Sequence, residues 1–458
     1  MEAHLIELNM VYRKGDNMRK IKLDKETILN ANLINDLIEK HAEEKARIIK
    51  MKNYYNGLNE AIMNRAYTDK NKPSNRLVSG YASYITDNFV GYMVGQPITY
   101  KSDNVDLLEK LNLSFLYNDE VDHNTTLAQE QSICGYAYEL LYRDEDSNAR
   151  FTCLETENTI VVYENNLEEK ELFIIRLVYT EDNKGLVYAY DNVNEYIYNL
   201  ENDKVGNLIS QSPHYFMSVP VCTYENNRQR IGDFEKVLSL INAYDLTNSD
   251  TANDFEYFTN ALLVVSGVVM ENEEGQPLNF KDNRVLNFAD TNSKAEYLMK
   301  NINDSALENY KNRLNRDILR FSNIVDMSDE NFASNLSGIA IKFKLQGMEN
   351  ITSIKESKFR KGLMKRIELL VHFLKLKTNT DFTYTEIVPI FTRNMPANDS
   401  ETVSMIKQLY GIVSDETLLA QLPFVENVQD EIEAIEEKKN KEAISYDIFS
   451  DEEVIDNE

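Results

Sequence analysis

DSALENYKNRLNRDILRF, the segment Asp304–Phe321, opens the stretch of sequence that decides how the chain is interpreted. Its apolar residues recur at steps of three and four, which predicts the buried face of an amphipathic helix. These residues are Leu307, Tyr310, Leu314, Ile318 and Phe321. At about 100° per residue, Arg313, Arg316 and Arg320 fall about 120–130° away from that face. We therefore predict a helix that packs on one side and presents cations on another.

A loop and a much longer helix are predicted to follow. Ser322–Ser337 (SNIVDMSDENFASNLS) has no helical period and is rich in Asn, Ser and Asp, which favour turns. The helical pattern returns at Ile339 and continues to Leu374, which corresponds to about 55–60 Å at 1.5 Å per residue. Gly347 and Gly362 are expected to bend this helix.

The charge of this stretch differs from that of the rest of the chain. Asp304–Lys377 contains 14 Lys and Arg against 9 Asp and Glu, whereas the whole chain has a net charge of −27. One interpretation is a solvated basic face on a long helix. The other is a surface that meets phosphate groups while the remainder of the protein repels them.

The composition limits the class of protein. A chain of 458 residues with 42% hydrophobic and 27% charged residues is typical of a folded protein with several domains. Cys134, Cys153 and Cys222 are far apart, so we expect no disulfide framework and a reducing compartment. No apolar run is long enough for a membrane span, and the N-terminus does not resemble a signal peptide, so synthesis in the cytosol is expected. A pI of 4.7 argues against a conventional tight nucleic-acid binder.

The order of patterns predicts an α+β fold. Helical periods cover Asp24–Ala66, Asn75–Met93, Asp106–Leu113, Glu120–Ile133, Asp233–Asn260, Asp399–Gly411 and Ser414–Gln421. Runs rich in Tyr, Val and Ile between Gly135 and Tyr224 predict antiparallel strands. Further strands are predicted at Ala261–Val269, Val285–Phe288, Tyr297–Met299 and Tyr384–Phe391. Residues 426–458 contain 13 Asp and Glu against 3 Lys, which predicts a frayed helix followed by a disordered tail.

A search for catalytic chemistry finds no specific motif. The sequence has no GxxxxGK[ST], CxxC, HExxH, GxSxG or GxGxxG pattern. His372 lies among apolar residues of the long helix and is interpreted as a packing residue, and Cys134 is given a structural role. Dispersed carboxylates could still meet in space, as in metal-dependent nucleases. We nevertheless expect no catalytic residue, no bound metal and no cofactor.

Three blocks of sequence resemble one known family. NRLVSGYASYITDNFVGYMVGQPITY (Asn75–Tyr100), which follows YYNGLNEAI (Tyr54–Ile62), is similar to the N-terminal signature of portal proteins of tailed bacteriophages. Gly232–Gly267 resembles the first stem helix and its passage into the clip, and Val325–Leu345 resembles the tunnel loop and the start of the long helix. The resemblance extends from about residue 25 to about residue 425 and is nearest to portals of long-tailed phages of Gram-positive bacteria.

The resemblance implies a portal-type fold with named parts. Residues 1–231 would form a mixed α/β wing, residues 232–260 and 304–321 the two-helix stem, and residues 261–303 a small α/β clip. Residues 322–337 would be the tunnel loop and 338–398 the long spine helix with a strand returning to the wing. Residues 399–458 would form the helical crown and the acidic tail.

The family implies a ring of about twelve subunits at one capsid vertex. Double-stranded DNA would be packaged and later ejected through its channel, after assembly in the cytoplasm of the host bacterium. The clip would dock the terminase large subunit and later a head-completion or connector protein, with Glu271, Glu273, Glu274, Lys281 and Arg284 as candidate contacts. Major capsid and scaffolding proteins would be further partners, and no membrane is involved.

DNA that must slide cannot be held by a wall that binds phosphates strongly, because affinity increases with each neutralised phosphate. An acidic channel with a few cations per subunit fits this need. Candidate DNA-facing residues of the stem are Arg313, Arg316, Arg320 and Lys311, and the alternative is that they form salt bridges between subunits. Candidates in the tunnel loop are Val325, Asn331, Phe332, Ser334, Asn335 and Ser337. Two other functions remain open: a virion adaptor that oligomerises without passing DNA, and a nucleic-acid-processing enzyme.

Overall fold

The computed structural model confirms an α+β fold. It describes residues 20–66, 73–180, 184–259, 262–266, 294–298, 304–326, 338–394 and 399–419, with single positions between 421 and 438. The chain divides into two compact units, one made of residues 1–325 and 347–393 and the other of residues 326–346 and 394–458.

The described helices are α1 (Ala31–Tyr55), α2 (Glu60–Met63), α3 (Tyr81–Val94), α4 (Val105–Tyr117), α5 (Glu120–Cys134), α6 (Leu238–Thr259), α7 (Asp304–Ser322), α8 (Gly338–Thr378), α9 (Asp399–Leu409) and α10 (Asp415–Leu419). The strands are β1 (Ile21–Leu23), β2 (Thr99–Lys101), β3 (Tyr136–Arg143), β4 (Ala149–Cys153), β5 (Thr159–Glu164), β6 (Glu171–Tyr179), β7 (Lys184–Tyr190), β8 (Asn194–Glu201), β9 (Lys204–Pro213), β10 (Val221–Glu225), β11 (Leu262–Ser266), β12 (Lys294–Leu298) and β13 (Val388–Ile390).

The larger sheet of the first unit has the order β1-β5-β6-β7-β8-β9. Its strands are antiparallel except that β1 pairs with β5 in parallel. Helix α1 buries Ile34 and Leu37 against the inward side chains of this sheet, which include Val162, Ile175 and Val187. Strand β5 is buried along its whole length and most of β6 is buried, so both faces of the sheet are covered at these strands, whereas β9 is exposed at every residue but Val205.

A second hydrophobic core packs against a three-stranded sheet, whose strand order is β10-β3-β4. Helices α3, α4 and α5 contribute Met93, Leu111 and Leu127 to it, and α8 contributes Phe359 and Ile367. Strand β13, which lies within the strand predicted at Tyr384–Phe391, pairs with β2, and both strands belong to the first unit, as does α8 from Gly347 onward. The C-terminal half of α8 is therefore an internal element of the first unit.

Gly362 lets α8 approach strand β10 closely. A Cβ atom at this position would lie 2.6 Å from the ring of Tyr224, which is closer than a carbon contact allows. The helix is continuous from Gly338 to Thr378, through both Gly347 and Gly362. Close packing explains the glycine at position 362.

Helices α6 and α7 of the first unit pack against each other, and β11 pairs with β12 in an antiparallel ribbon. In the second unit, α9 is followed by a turn at Gly411 and by α10, of which Leu418 is buried. The boundaries of α9 and α10 lie within two residues of the predicted ones.

Several local predictions differ from the structure. The helical period of Asp24–Ala66 is interrupted after Tyr55, because Gly57 has a φ of +75° and Asn59 caps α2 by accepting a hydrogen bond from the Ala61 N–H. Helix α3 begins at Tyr81 and not at the predicted Asn75, and residues 73–79 form neither helix nor strand. Strands β1, β2, β4, β9 and β10 were not individually predicted. Val285–Phe288 and most of the acidic tail lie outside the described residues.

Candidate functional site

Helix α6 is attached to the rest of its unit through polar side chains. Asp245 is fully buried and accepts hydrogen bonds from Asn59 Nδ2 and from the backbone N–H of Ser79, both at 2.8 Å. Ser249 accepts from the N–H of Leu77 at 2.9 Å. Residues 73–79, which precede α3, belong to no sheet, so no strand accepts hydrogen bonds from their backbone N–H groups. Side chains of α6 accept them instead. Burial raises the pKa of Asp245 above its ordinary value, because it outweighs these hydrogen bonds, which lower the pKa.

Helix α7 lies against this scaffold through a short apolar stripe. Leu314, Ile318 and Leu319 are buried, and Tyr81 Oη donates a hydrogen bond of 2.6 Å to Asn315 Oδ1. The predicted stripe is confirmed at Leu314 and Ile318. It is wrong at Tyr310 and Phe321, which are 47% and 57% exposed, and Leu307 is half-buried.

The three arginines share the opposite, exposed side of α7. The Arg313 side chain is 73% exposed and lies 3.7 Å from Asp317, one turn further along the helix. Arg316 and Arg320 are exposed and form no ion pair with another described residue. A pair as exposed as Arg313–Asp317 contributes little stability, so this face keeps cations available in a chain of charge −27.

The structure does not bring Lys311 together with the arginines. Its side chain is 17% exposed, and its ammonium group lies 3.5 Å from Glu308 of the preceding turn. On the helix it lies about 60° from Leu314, on the packed side. Lys311 therefore neutralises a local carboxylate instead of extending the basic face.

The exposed side of α7 has two sectors. Tyr310 and Phe321 border the buried stripe, and the arginines lie roughly 100° further around the helix axis. An apolar sector next to a basic one suits a helix that contacts a neighbouring molecule on one side and a polyanion on another. The sequence analysis did not distinguish the exposed apolar residues from the buried ones, because they share one period. That period alone does not show which of its residues pack against the rest of the protein.

Of the predicted tunnel-loop residues, only Val325 is described. It is half-buried, and its carbonyl oxygen accepts a hydrogen bond of 3.5 Å from Tyr84 Oη, which holds the end of α7 on α3. Asn331, Phe332, Ser334, Asn335 and Ser337 lie outside the described residues. The same is true of the clip candidates Glu271, Glu273, Glu274, Lys281 and Arg284.

Two cations of the basic stretch are internal. Arg366 is completely buried beside Glu139 and Glu120, and Lys355 is buried beside Asp233, which precedes α6. Neither contributes to a surface for phosphates, so the excess of positive charge between Asp304 and Lys377 overstates the basic surface. The sequence analysis did not predict that Lys355 and Arg366 form buried ion pairs. Their position on the apolar face of the long helix could have indicated it.

None of the described helices is both long and apolar enough to cross a bilayer. Within the same part of the chain, no three His, Cys, Asp or Glu side chains converge as metal ligands do.

Comparison with known proteins identifies the class. The model of the family described as phage portal protein, SPP1 Gp6-like, matches residues 34–445. The portal protein of Bacillus phage SPP1 is 26% identical over 419 residues, covering 86% of this chain and 81% of that protein. The portal protein of Clostridium phage phiCD119 is 25% identical over 455 residues, covering 91% of this chain and 99% of that protein.

The chain therefore belongs to the SPP1 Gp6-like family of phage portal proteins. The resemblance to portals of Gram-positive phages is confirmed, and the family is one of structural proteins. Among solved structures, the neck of an empty GTA particle computed with C6 symmetry matches at a TM-score of 0.46 and 9% identity, covering 75% of this chain and 90% of that one. The neck of a native GTA particle computed with C12 symmetry gives a TM-score of 0.42 at the same identity and coverage.

Proposed function

We propose that this chain assembles into a closed ring of about twelve subunits at one capsid vertex and forms the channel for packaging and ejecting double-stranded DNA. Membership of the portal family supports the proposal most directly. The exposed apolar residues Tyr310 and Phe321 on α7 give the helix a side that a neighbouring copy would cover. The ring would reside in the virion after assembly in the host cytoplasm.

The basic face of α7 is proposed to line the channel. Arg313, Arg316 and Arg320 project from one side of a helix whose other side is packed. Repeated around a ring, three cations per subunit would centre the DNA, and the surrounding negative charge would keep affinity low enough for sliding. The alternative is that the arginines pair with carboxylates of the next subunit.

The remaining parts of the chain are assigned by family membership. Residues 322–337 would form the tunnel loop that touches DNA, and residues 261–303 the clip that docks the terminase large subunit and then a head-completion or connector protein. Major capsid and scaffolding proteins would contact the wing. We further propose that the chain itself has no enzymatic activity.

The ring is tested by measuring the mass of the purified full-length protein and imaging it by negative stain. We expect a closed particle of about a dozen subunits with an axial hole. A monomer, an open filament or a particle without an axial hole would refute the proposal. Nuclease or ATPase activity that depends on one carboxylate cluster would support the enzyme alternative.

The channel face is tested with Arg316→Glu in the phage. We expect rings of normal mass and a reduction in packaged DNA of roughly tenfold or more, because the variant replaces attraction by repulsion on every subunit. Lys361→Glu, at an exposed lysine of α8 away from the stem, is the matched control and should package normally. Arg316→Glu protein that fails to form rings would show that the arginine holds subunits together.

A further inference from the structure

Strand β9 belongs to the longest stretch of the sequence without a charged residue, and its part of that stretch is exposed. Val205–Tyr224 contains no Asp, Glu, Lys or Arg, although 27% of the chain is charged. β9 is the last strand of the six-stranded sheet, so only β8 pairs with it. All of residues 206–213 are exposed.

The outer edge of β9 is covered at one residue. Asn35 of α1 accepts a hydrogen bond of 2.9 Å from the N–H of Val205, and its amide nitrogen donates to the carbonyl of Val205 at 3.4 Å. This side chain satisfies Val205 in the way that a neighbouring strand would. From Gly206 onward, no described strand or side chain takes that place. An unpaired edge without charged residues readily accepts a further strand or chain.

Large apolar side chains accompany this edge. Leu208 and Ile209 are 48% and 54% exposed, and just beyond the strand Tyr215 and Met217 are 47% and 69% exposed. Tyr215 and Met217 have φ angles of +69° and +59°, which bulky residues rarely adopt. Between them Phe216 is fully buried and stacks on Phe373, which anchors the segment. Backbone strain of this kind clusters at functional positions such as ligand clamps and switch regions.

We propose that the β9 edge, from Gly206 to Met217, is a contact between neighbouring copies of this chain within the ring. Subunits with a net charge of −27 repel each other over most of their surface. An uncharged edge is where two such copies approach at the lowest electrostatic cost, and backbone pairing and apolar burial need no opposite charge. A partner of basic character would instead be attracted to the acidic surface that covers the rest of the chain. The contact in a ring is heterologous, so the edge meets a different surface of the next copy.

This inference rests on the proposed ring, and the experiment separates the two. In Leu208→Lys/Ile209→Lys, the lysines are placed on exposed positions, so far-UV circular dichroism and thermal unfolding of the subunit should match the wild type. We expect the fraction of protein in rings, measured by mass, to fall at least tenfold. Leu167→Lys, at a leucine that is 103% exposed on the loop between β5 and β6, is the matched control and should form rings.

Each outcome has a defined meaning. If the wild type forms no ring, the proposed function fails. If the wild type forms rings and the double variant forms them equally well, the inference about β9 is wrong while the ring stands. Normal rings that fail to join the capsid would also overturn it, because the edge would then meet a shell protein.

A second variant covers the case in which the double variant fails to fold. Ile209→Cys adds a thiol to a chain whose native cysteines are buried or half-buried. A reagent that joins cysteine to lysine should produce a ladder of linked subunits from assembled Ile209→Cys protein that is much stronger than the background that half-buried Cys153 gives in the wild type. Assembled Ile209→Cys protein without a ladder would contradict the proposal.

Discussion

Nη2 of Arg366 on α8 lies 2.8 Å from Oε1 of Glu139 on β3, and neither side chain has any exposed surface. Arg366 also lies 3.2 Å from Glu120 and donates to Asn124 at 2.9 Å. Glu139 further accepts from Tyr224 Oη at 2.8 Å and is 2.7 Å from Nε2 of His123. Helices α8 and α5 and strands β3 and β10 therefore meet at a single buried polar network.

Arg366→Met should strongly destabilise the subunit. The substitution leaves Glu139 and Glu120 buried without their cation, and removing one partner of a buried ion pair costs about 3–5 kcal/mol. Urea unfolding of the variant measures the loss of free energy of unfolding. Lys361→Met, at an exposed position on the same helix, serves as the control and should change it by less than about 0.5 kcal/mol.

Glu139 should make the free energy of unfolding depend on pH. Burial alone raises the pKa of this carboxyl, but Arg366 and His123 outweigh burial and lower it to about 2, from an ordinary value of 4.5. A lowered carboxyl pKa contributes stability that is complete above about pH 4.5 and is lost as the pH falls toward 2. Unfolding free energies measured between pH 6 and pH 3 should fall less steeply in Glu139→Gln than in the wild type. Parallel pH profiles would contradict this assignment.

Lys355 and Asp233 should behave as a coupled pair. Lys355 Nζ donates to Asp233 Oδ2 and lies 4.8 Å from the centre of the Phe89 ring. Burial lowers the pKa of Lys355 even though Asp233 raises it, so desolvation outweighs the attraction. Lys355→Met and Asp233→Asn should each destabilise, and the double variant should lose less than the sum of the single losses, by about 1–3 kcal/mol. Strict additivity in this double-mutant cycle would show that the two groups do not interact.

Substitution by alanine should lower the stability of the protein at Gly362 and raise it at Gly347. Gly362→Ala places a methyl group 2.6 Å from the Tyr224 ring, and overpacking of this kind costs about 1–3 kcal/mol. At Gly347 the same methyl group would have its nearest contact at 3.5 Å, with Asn323 Oδ1, so Gly347→Ala should gain up to about 1 kcal/mol of helix stability. Thermal unfolding of both variants tests the pair. A stabilising Gly362→Ala would refute the close approach.

The sequence predicted the long elements well because their periodicity is strong. Leu314 and Ile318 are buried as expected. Helix α6 lies within its predicted span, α7 ends one residue beyond the predicted Phe321, and α8 begins one residue before Ile339 and ends four residues after Leu374. Short strands such as β1 and β2 escaped prediction, since three residues carry no measurable period. Their pairing depends on distant partners, Val162 for β1 and Pro389 for β2.

The candidate site was predicted in part. Helical geometry alone placed Arg313, Arg316 and Arg320 on one exposed face, and the structure confirms this shared face. Its charge makes Lys311 a further candidate, but charge does not determine which side of a helix a residue occupies, and Lys311 lies on the packed side. Arg366 was counted with the basic surface because sequence gives no sign of Glu139, which is 227 positions away, as its partner.

Lys355, Gly362 and Arg366 are separated by seven and four positions, so all three lie along one line on α8. Each fits a different feature of the same unit: a carboxylate, an aromatic ring and a two-carboxylate network. An axial slip of one helical turn, about 5.4 Å, would misplace all three together. The part of α8 from Gly347 to Thr378 is thus fixed to the first unit at three positions along its axis, so it cannot slide along that axis without breaking all three contacts.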